Sequence, residues 1–182
     1  MTQFKLTVAI LMLMLLGMGT SHAGLELVDR VDLERYQGRW YEVARLPNRF
    51  QRQCASNVTA DYRLREDGRI DVTNRCRREN GSYAEADGVA RQADPDGSEA
   101  ALEVRFAPRW LSFLPFVWGD YRVIALDEDY QYAMVGSENR RYLWVLARTP
   151  GLSDDRLRGL LEMARAQGFE TDDLILTRHE SD

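Results

Sequence analysis

The chain has 182 residues, 45% of them hydrophobic and 29% charged, with a formal net charge of −5, two cysteines and two histidines. An acidic balance argues against nucleic acid and against general attraction to anionic lipid. With His22 near one end and His179 near the other, zinc, haem and serine–histidine chemistry lack ligands or a base. No catalytic residue, metal site or cofactor is therefore expected.

Lys5, the apolar run from Val8 to Met18 and the small residues of Ser21-His22-Ala23 read as a secretory signal over residues 1–23, cut before Gly24. The run is short for a membrane span. The remainder, 24–182, is one domain's length and can enclose a core. Loss of Lys5 leaves it one unit more acidic.

Asp32 to Tyr36 suggests one helical turn. The stretch Gly38-Arg39-Trp40-Tyr41-Glu42-Val43-Ala44-Arg45-Leu46-Pro47 then alternates as a strand. Period two puts Trp40, Glu42, Ala44 and Leu46 on a buried face, and Arg39, Tyr41, Val43 and Arg45 on the other. Asn48 to Gln53 is a polar loop carrying Phe50. Residues 57–65 and 69–76 form strands around the turn Glu66-Asp67-Gly68, with Ile70, Val72 and Asn74 on one face. Asn80-Gly81 and Asp94-Pro95-Asp96-Gly97 bound a weaker strand over 82–93.

In the strand over 99–106, Leu102, Val104 and Phe106 face in, while Glu103 and Arg105 face water. Charges there exclude an integral membrane barrel, whose outer face must be apolar. Further strands cover 118–126, 130–137 and 141–148. Strands every ten residues or so with short turns suit an all-β, up-and-down barrel. The period then changes. Ser153 caps a helix whose Leu157, Leu160, Leu161 and Ala164 form one stripe. Gly168 ends it, and Leu174 to Leu176 form a short last strand.

Gly38, Trp40 and, at the end of Tyr142-Leu143-Trp144-Val145-Leu146-Ala147-Arg148, Arg148 together form a pattern that resembles the lipocalins. The resemblance runs from about Val31 to Thr177 and is closest to the bacterial lipocalins and their relative apolipoprotein D. Tyr41-Glu42-Val43-Ala44-Arg45-Leu46, Asp67-Gly68 and Val123-Ile124-Ala125-Leu126-Asp127 carry it further. It implies an eight-stranded antiparallel barrel with a C-terminal α-helix and a short final strand. Arg148 would lie across the Trp40 indole at the closed end, a favourable cation–π contact. The first loop would fold over the mouth, with Phe50 as a lid or simply packed on the surface.

The function implied is binding and carriage of a fatty acid or lysophospholipid in a bacterial cell envelope, without catalysis. Several bacterial lipocalins are lipoproteins anchored through a cysteine at the cleavage point. No cysteine stands near Gly24, so the expectation is a soluble periplasmic protein, at most associated with the outer membrane, as a monomer or homodimer.

Cys54 and Cys76 in an exported chain read as a disulfide. A free thiol acting as a nucleophile, as in an isomerising lipocalin, is the alternative. A simple hairpin register puts Cys76 opposite about Val58, so Cys54-Ala55-Ser56 must fold back. Glu42 shares the inner face with Trp40 and needs a partner. It belongs either to a satisfied network near the closed end or to a pocket floor. The expected ligand-lining set is Glu42, Tyr62, Val72, Asn74, Val104, Phe106, Tyr121, Val123, Val135, Tyr142 and Trp144, forming one elongated cavity of apolar walls with a few polar groups. The loop Trp110-Leu111-Ser112-Phe113-Leu114-Pro115-Phe116-Val117-Trp118 is unusually apolar. Trp110, Leu111, Phe113, Leu114, Phe116 and Trp118 are read as a transient membrane contact at the mouth, with Arg109 beside them. Folding of the same side chains into the mouth is the other possibility.

Overall fold

Alternating apolar and polar residues, broken by tight turns, close this chain into a barrel. The computed structural model describes residues 24–108, 111–112 and 114–180. The expected signal, 1–23, and Arg109, Trp110 and Phe113 of the apolar loop lie outside the described residues.

One helical turn, α1 (Leu33–Tyr36), opens the fold, capped by Asp32 Oδ1 accepting from the amides of Glu34 and Arg35. Eight strands follow: β1 (Gly38–Arg45), β2 (Ser56–Leu64), β3 (Ile70–Arg77), β4 (Tyr83–Gln92), β5 (Ala101–Arg105), β6 (Gly119–Leu126), β7 (Tyr132–Gly136) and β8 (Leu143–Ala147). Each pairs with the next, and β8 and β2 both pair with β1, so no edge is left between them. Helix α2 (Asp154–Ala166) and a two-residue strand, β9 (Ile175–Leu176), complete the chain.

The barrel wall separates two apolar clusters. Inside it pack Trp40, Tyr62, Ile70, Val72, Leu102, Val123, Val135 and Leu146, with Tyr36 of α1 among them. Outside, Val43, Met134, Leu143, Val145 and Ala147 receive Leu160 and Ala164 of α2 and the following Phe169. Burying one leucine such as Leu160 contributes roughly 1.5–3 kcal/mol. Ser153 Oγ accepts from the Arg156 amide at the helix start, as expected of an N-cap.

β1 departs from the simple alternation. Its pairing with β8 runs Glu42↔Leu146, then Ala44↔Val145 and Arg45↔Trp144, so one residue is inserted between Glu42 and Ala44. This bulge reverses the facing of everything after it. Ala44 and Leu46, expected inside, pack in the outer cluster against the helix side. Arg45, expected outside, points inward beside Trp144 and is 6% exposed.

The strand β2 bulges too, between Ser56 and Thr59, where Asn57 has a φ of 51°. Asparagine tolerates that left-handed backbone better than most residues. The bulge and the Ala55 amide bond to Arg77 O bring Cys54 next to Cys76, and the two are bridged with Cα atoms 5.4 Å apart. The sequence has two cysteines, so the bridge leaves the thiol-nucleophile alternative without a thiol. A loop of this length stabilises by about 3 kcal/mol.

Candidate ligand-binding site

Gly38 begins β1 with a φ of +89°, which L side chains rarely adopt. The chain thereby turns from α1 into the barrel and sets Trp40 inside, fully buried, with its Nε1 donating to Tyr36 O at 2.8 Å. Arg148, just after β8, lies with its guanidinium carbon 4.0 Å from the Trp40 ring centroid. Its Nη1 and Nη2 donate to the carbonyls of Arg39 and Arg35. This end of the barrel is closed by stacked side chains.

Above this plug sits a chain of phenols. Tyr121 shares hydrogen bonds with Tyr36 at 2.9 Å and Tyr62 at 3.0 Å. Burial disfavours their anions and raises all three above the ordinary phenol range, Tyr62 to about 12. A cavity of about 10 Å³ lies among Tyr36, Tyr62, Val72, Leu102, Val104 and Tyr121, room for roughly one water. The closed half is thus filled, and the elongated cavity expected from the strand faces does not run through it. The reason is Tyr36, which α1 swings into the barrel.

All eleven expected lining residues occupy interior positions. Val72 pairs with Tyr62, Asn74 with Ala60, Val123 with Val135, and Val135 with Trp144. They divide by depth. Tyr62, Val72, Val123 and Val135 are packed into the inner core, and Glu42 is buried in an ion pair. Asn74, Val104, Tyr121, Tyr142 and Trp144 remain half-buried and Phe106 is 44% exposed. Ala86, opposite Asn74, faces the same space and is exposed. Gly88 admits the Phe106 ring against the wall: a Cβ there would stand 2.7 Å from Phe106 Cδ1.

Glu42 is 2% exposed, as the strand phase required. Three side chains hold its carboxylate. Arg45 Nη1 donates to Oε1 at 2.6 Å, Thr177 Oγ1 to the same oxygen at 2.5 Å, and Gln51 Nε2 to Oε2 at 2.5 Å. Gln51 Oε1 in turn accepts from Trp144 Nε1 at 2.9 Å. The network therefore joins β1, the first loop, β8 and the C-terminal tail. It belongs to the mouth half, since Arg45 ends β1 and β1 starts at the closed end.

Thr177 reaches this point because β9 takes the edge of β1 that β2 leaves beyond Tyr41. The tail is pinned there by Thr177 N to Val43 O, Asn57 N to Arg178 O, and Glu180 N to Asn57 Oδ1.

At the rim, Phe50 of the first loop is 58% exposed and lies 5.7 Å from Tyr142, which stacks on Trp144 at 5.9 Å. In the β5–β6 loop, Phe116 is 79% exposed. Leu111 and Leu114 are half-buried. Trp118 sits on the outer wall between two cations, 4.0 Å from the Arg91 guanidinium and 5.2 Å from that of Arg105, with Nε1 donating to Ser112 O. Those contacts anchor the loop base.

Sequence reasoning missed Arg45, Gln51, Thr177 and Tyr36. A buried glutamate three residues before an arginine was the one signal available for Arg45. It was overruled by an unbroken period of two.

A closed eight-stranded barrel, plugged at one end and open at the other onto a mixed apolar and polar wall, is a calyx of the kind that takes up a small hydrophobic molecule. The chain belongs to the lipocalin family, whose barrels bind such ligands: residues 31–179 match the Lipocalin-like domain. It is 40% identical to temperature-induced lipocalin-1 of Arabidopsis thaliana over 159 residues, 87% of this chain and 84% of that one. With the outer membrane lipoprotein Blc of Citrobacter freundii it shares 41% identity over 157 residues, 86% of this chain and 84% of the other. Insecticyanin from the tobacco hornworm Manduca sexta has the same fold, with a TM-score of 0.65 at 17% identity over 87% of this chain and 86% of that one.

Proposed function

We propose that this protein carries a single-chain amphiphile, a fatty acid or lysophospholipid, in the mouth half of its barrel. The observation that carries this reading is the accessible wall formed by Ala86, Val104, Phe106, Tyr142 and Trp144, interrupted by Asn74. Each ligand methylene buried there contributes about 0.8 kcal/mol, less the cost of ordering the chain. The signal-like residues 1–23, the Cys54–Cys76 bridge and the likeness to a protein named an outer membrane lipoprotein support action in the periplasm by a domain spanning 24–182. The rim loop carrying Phe116 is the part proposed to meet a membrane transiently when cargo is exchanged.

Lipid extracted from protein purified without detergent and weighed by mass spectrometry tests the reading directly. Long-chain acyl lipid in stoichiometric amount is expected. Added palmitic acid is expected to change tryptophan fluorescence, and a Trp144→Phe variant to lose most of that change. Absence of co-purified lipid together with no calorimetric binding of fatty acid or lysophospholipid overturns the proposal.

A further inference from the structure

The inward-facing cation of the mouth half has a free edge. Arg45 is 6% exposed, and its Nη1 is engaged by Glu42 Oε1 and, at 3.3 Å, by Thr177 Oγ1. Among the described residues its buried Nε has no hydrogen-bond partner, and none bonds Nη2. The Nε–Nη2 side of a guanidinium is a planar fork that accepts two carboxylate oxygens at once. A buried donor left unmade is unfavourable and calls for an acceptor. Arg105 also has a buried, unpartnered Nε. It lies on the outer wall against Trp118, however, and Arg45 faces the calyx beside Trp144.

We propose that Arg45 is the head-group site of the barrel, its free edge pairing with the carboxylate of a fatty acid whose chain runs against Trp144, Val104 and Phe106. This rests on the carrier reading and narrows it. Glu42 and Thr177 already hold Arg45 Nη1, and Gln51 holds the other oxygen of Glu42, so a group that pairs with the guanidinium here must be small. A carboxylate ends there, whereas the phosphodiester of a lysophospholipid must continue into a further substituent. Gln51 ties the first loop to both Glu42 and Trp144, so seating the head group disturbs the bond on the Trp144 indole.

Calorimetry with palmitic acid and methyl palmitate, which differ in the charged fork partner and little else, tests the site. The wild type is expected to favour the acid by about tenfold or more. In Glu42→Gln/Arg45→Met, which leaves no buried charge stranded, the acid-to-ester ratio is expected to fall close to one. Glu42→Gln alone removes a competing anion and is expected to raise the ratio. If the double variant fails to fold, Arg45→Lys keeps the charge without the fork and is expected to lose most of the preference. Equal binding of acid and ester by the wild type, a preference retained in both Arg45 variants, or tighter binding of lysophosphatidylcholine than of acid overturns the head-group site alone. Binding of none of the three overturns the carrier reading with it.

Discussion

The Arg148 guanidinium lies 4.0 Å over the Trp40 ring while bonding the carbonyls of Arg35 and Arg39. One side chain thus ties α1, β1 and the end of β8 together. Arg148→Ala is expected to destabilise by about 1–3 kcal/mol through the lost cation–π contact and the carbonyls left unpaired. Trp40→Ala, which empties a fully buried site, is expected to cost about 3–5 kcal/mol. Urea melts of the two variants measure both values, and wild-type stability in either would show that this end of the barrel is not held as described.

The three linked phenols predict an alkaline limit. Tyr36, Tyr62 and Tyr121 have pKa values raised by burial in the folded state, Tyr62 to about 12. A raised pKa contributes stability that is fully present below the unfolded phenol value, about 10. That stability is lost as pH rises through the folded value. Stability is therefore expected to hold up to about pH 10 and fall steeply between roughly 10 and 12. Absorbance titration should show these three of the eight tyrosines ionising only with unfolding. Smooth titration of all eight around pH 10 in folded protein would contradict the buried network.

At Gly88 the prediction concerns space. An added methyl would meet Phe106 Cδ1 at 2.7 Å and Arg105 O at 2.8 Å. Gly88→Ala is expected to cost about 1–3 kcal/mol and to push the Phe106 ring into the calyx, weakening fatty-acid binding. Combining it with Phe106→Ala should recover part of the stability, with the Arg105 carbonyl limiting the rest. A strictly additive pair in thermal melts would mean that the two positions do not touch.

The exposed Phe116 at the rim predicts a kinetic effect. An aromatic ring suits the headgroup boundary of a bilayer, and the acidic chain lacks a general attraction to anionic lipid. Phe116→Ser is expected to slow transfer of a fluorescent fatty acid between phosphatidylcholine vesicles several-fold, with little dependence on salt. Leu111→Ser and Leu114→Ser are expected to lower stability as well, because both side chains are half-buried. Transfer at the wild-type rate in Phe116→Ser would remove the loop from membrane exchange.

Local chemistry decided most of the barrel. Alternation in Val58 to Leu64, Ile70 to Asn74 and Leu102 to Phe106, the turns at Asp67-Gly68 and Asn80-Gly81, and the change of period after Pro150 depend on residues close in the chain, so they were legible without a fold. The interior face of all eleven lining positions followed from the same periodicity. What sequence could not decide was set by contacts between distant segments. The bulge at Val43 exists because β1 must register with β8, a hundred residues away, and it alone turns Arg45 inward and Ala44 outward. Tyr36 fills the closed half because α1 folds beneath the barrel. Thr177 reaches Glu42 because β9 occupies an edge that β2 vacates. A strand's own pattern reports which side chains can share a face. Which residue is skipped in pairing, and which distant group satisfies a buried charge, is fixed only when the wall closes and every buried polar atom must find a partner there.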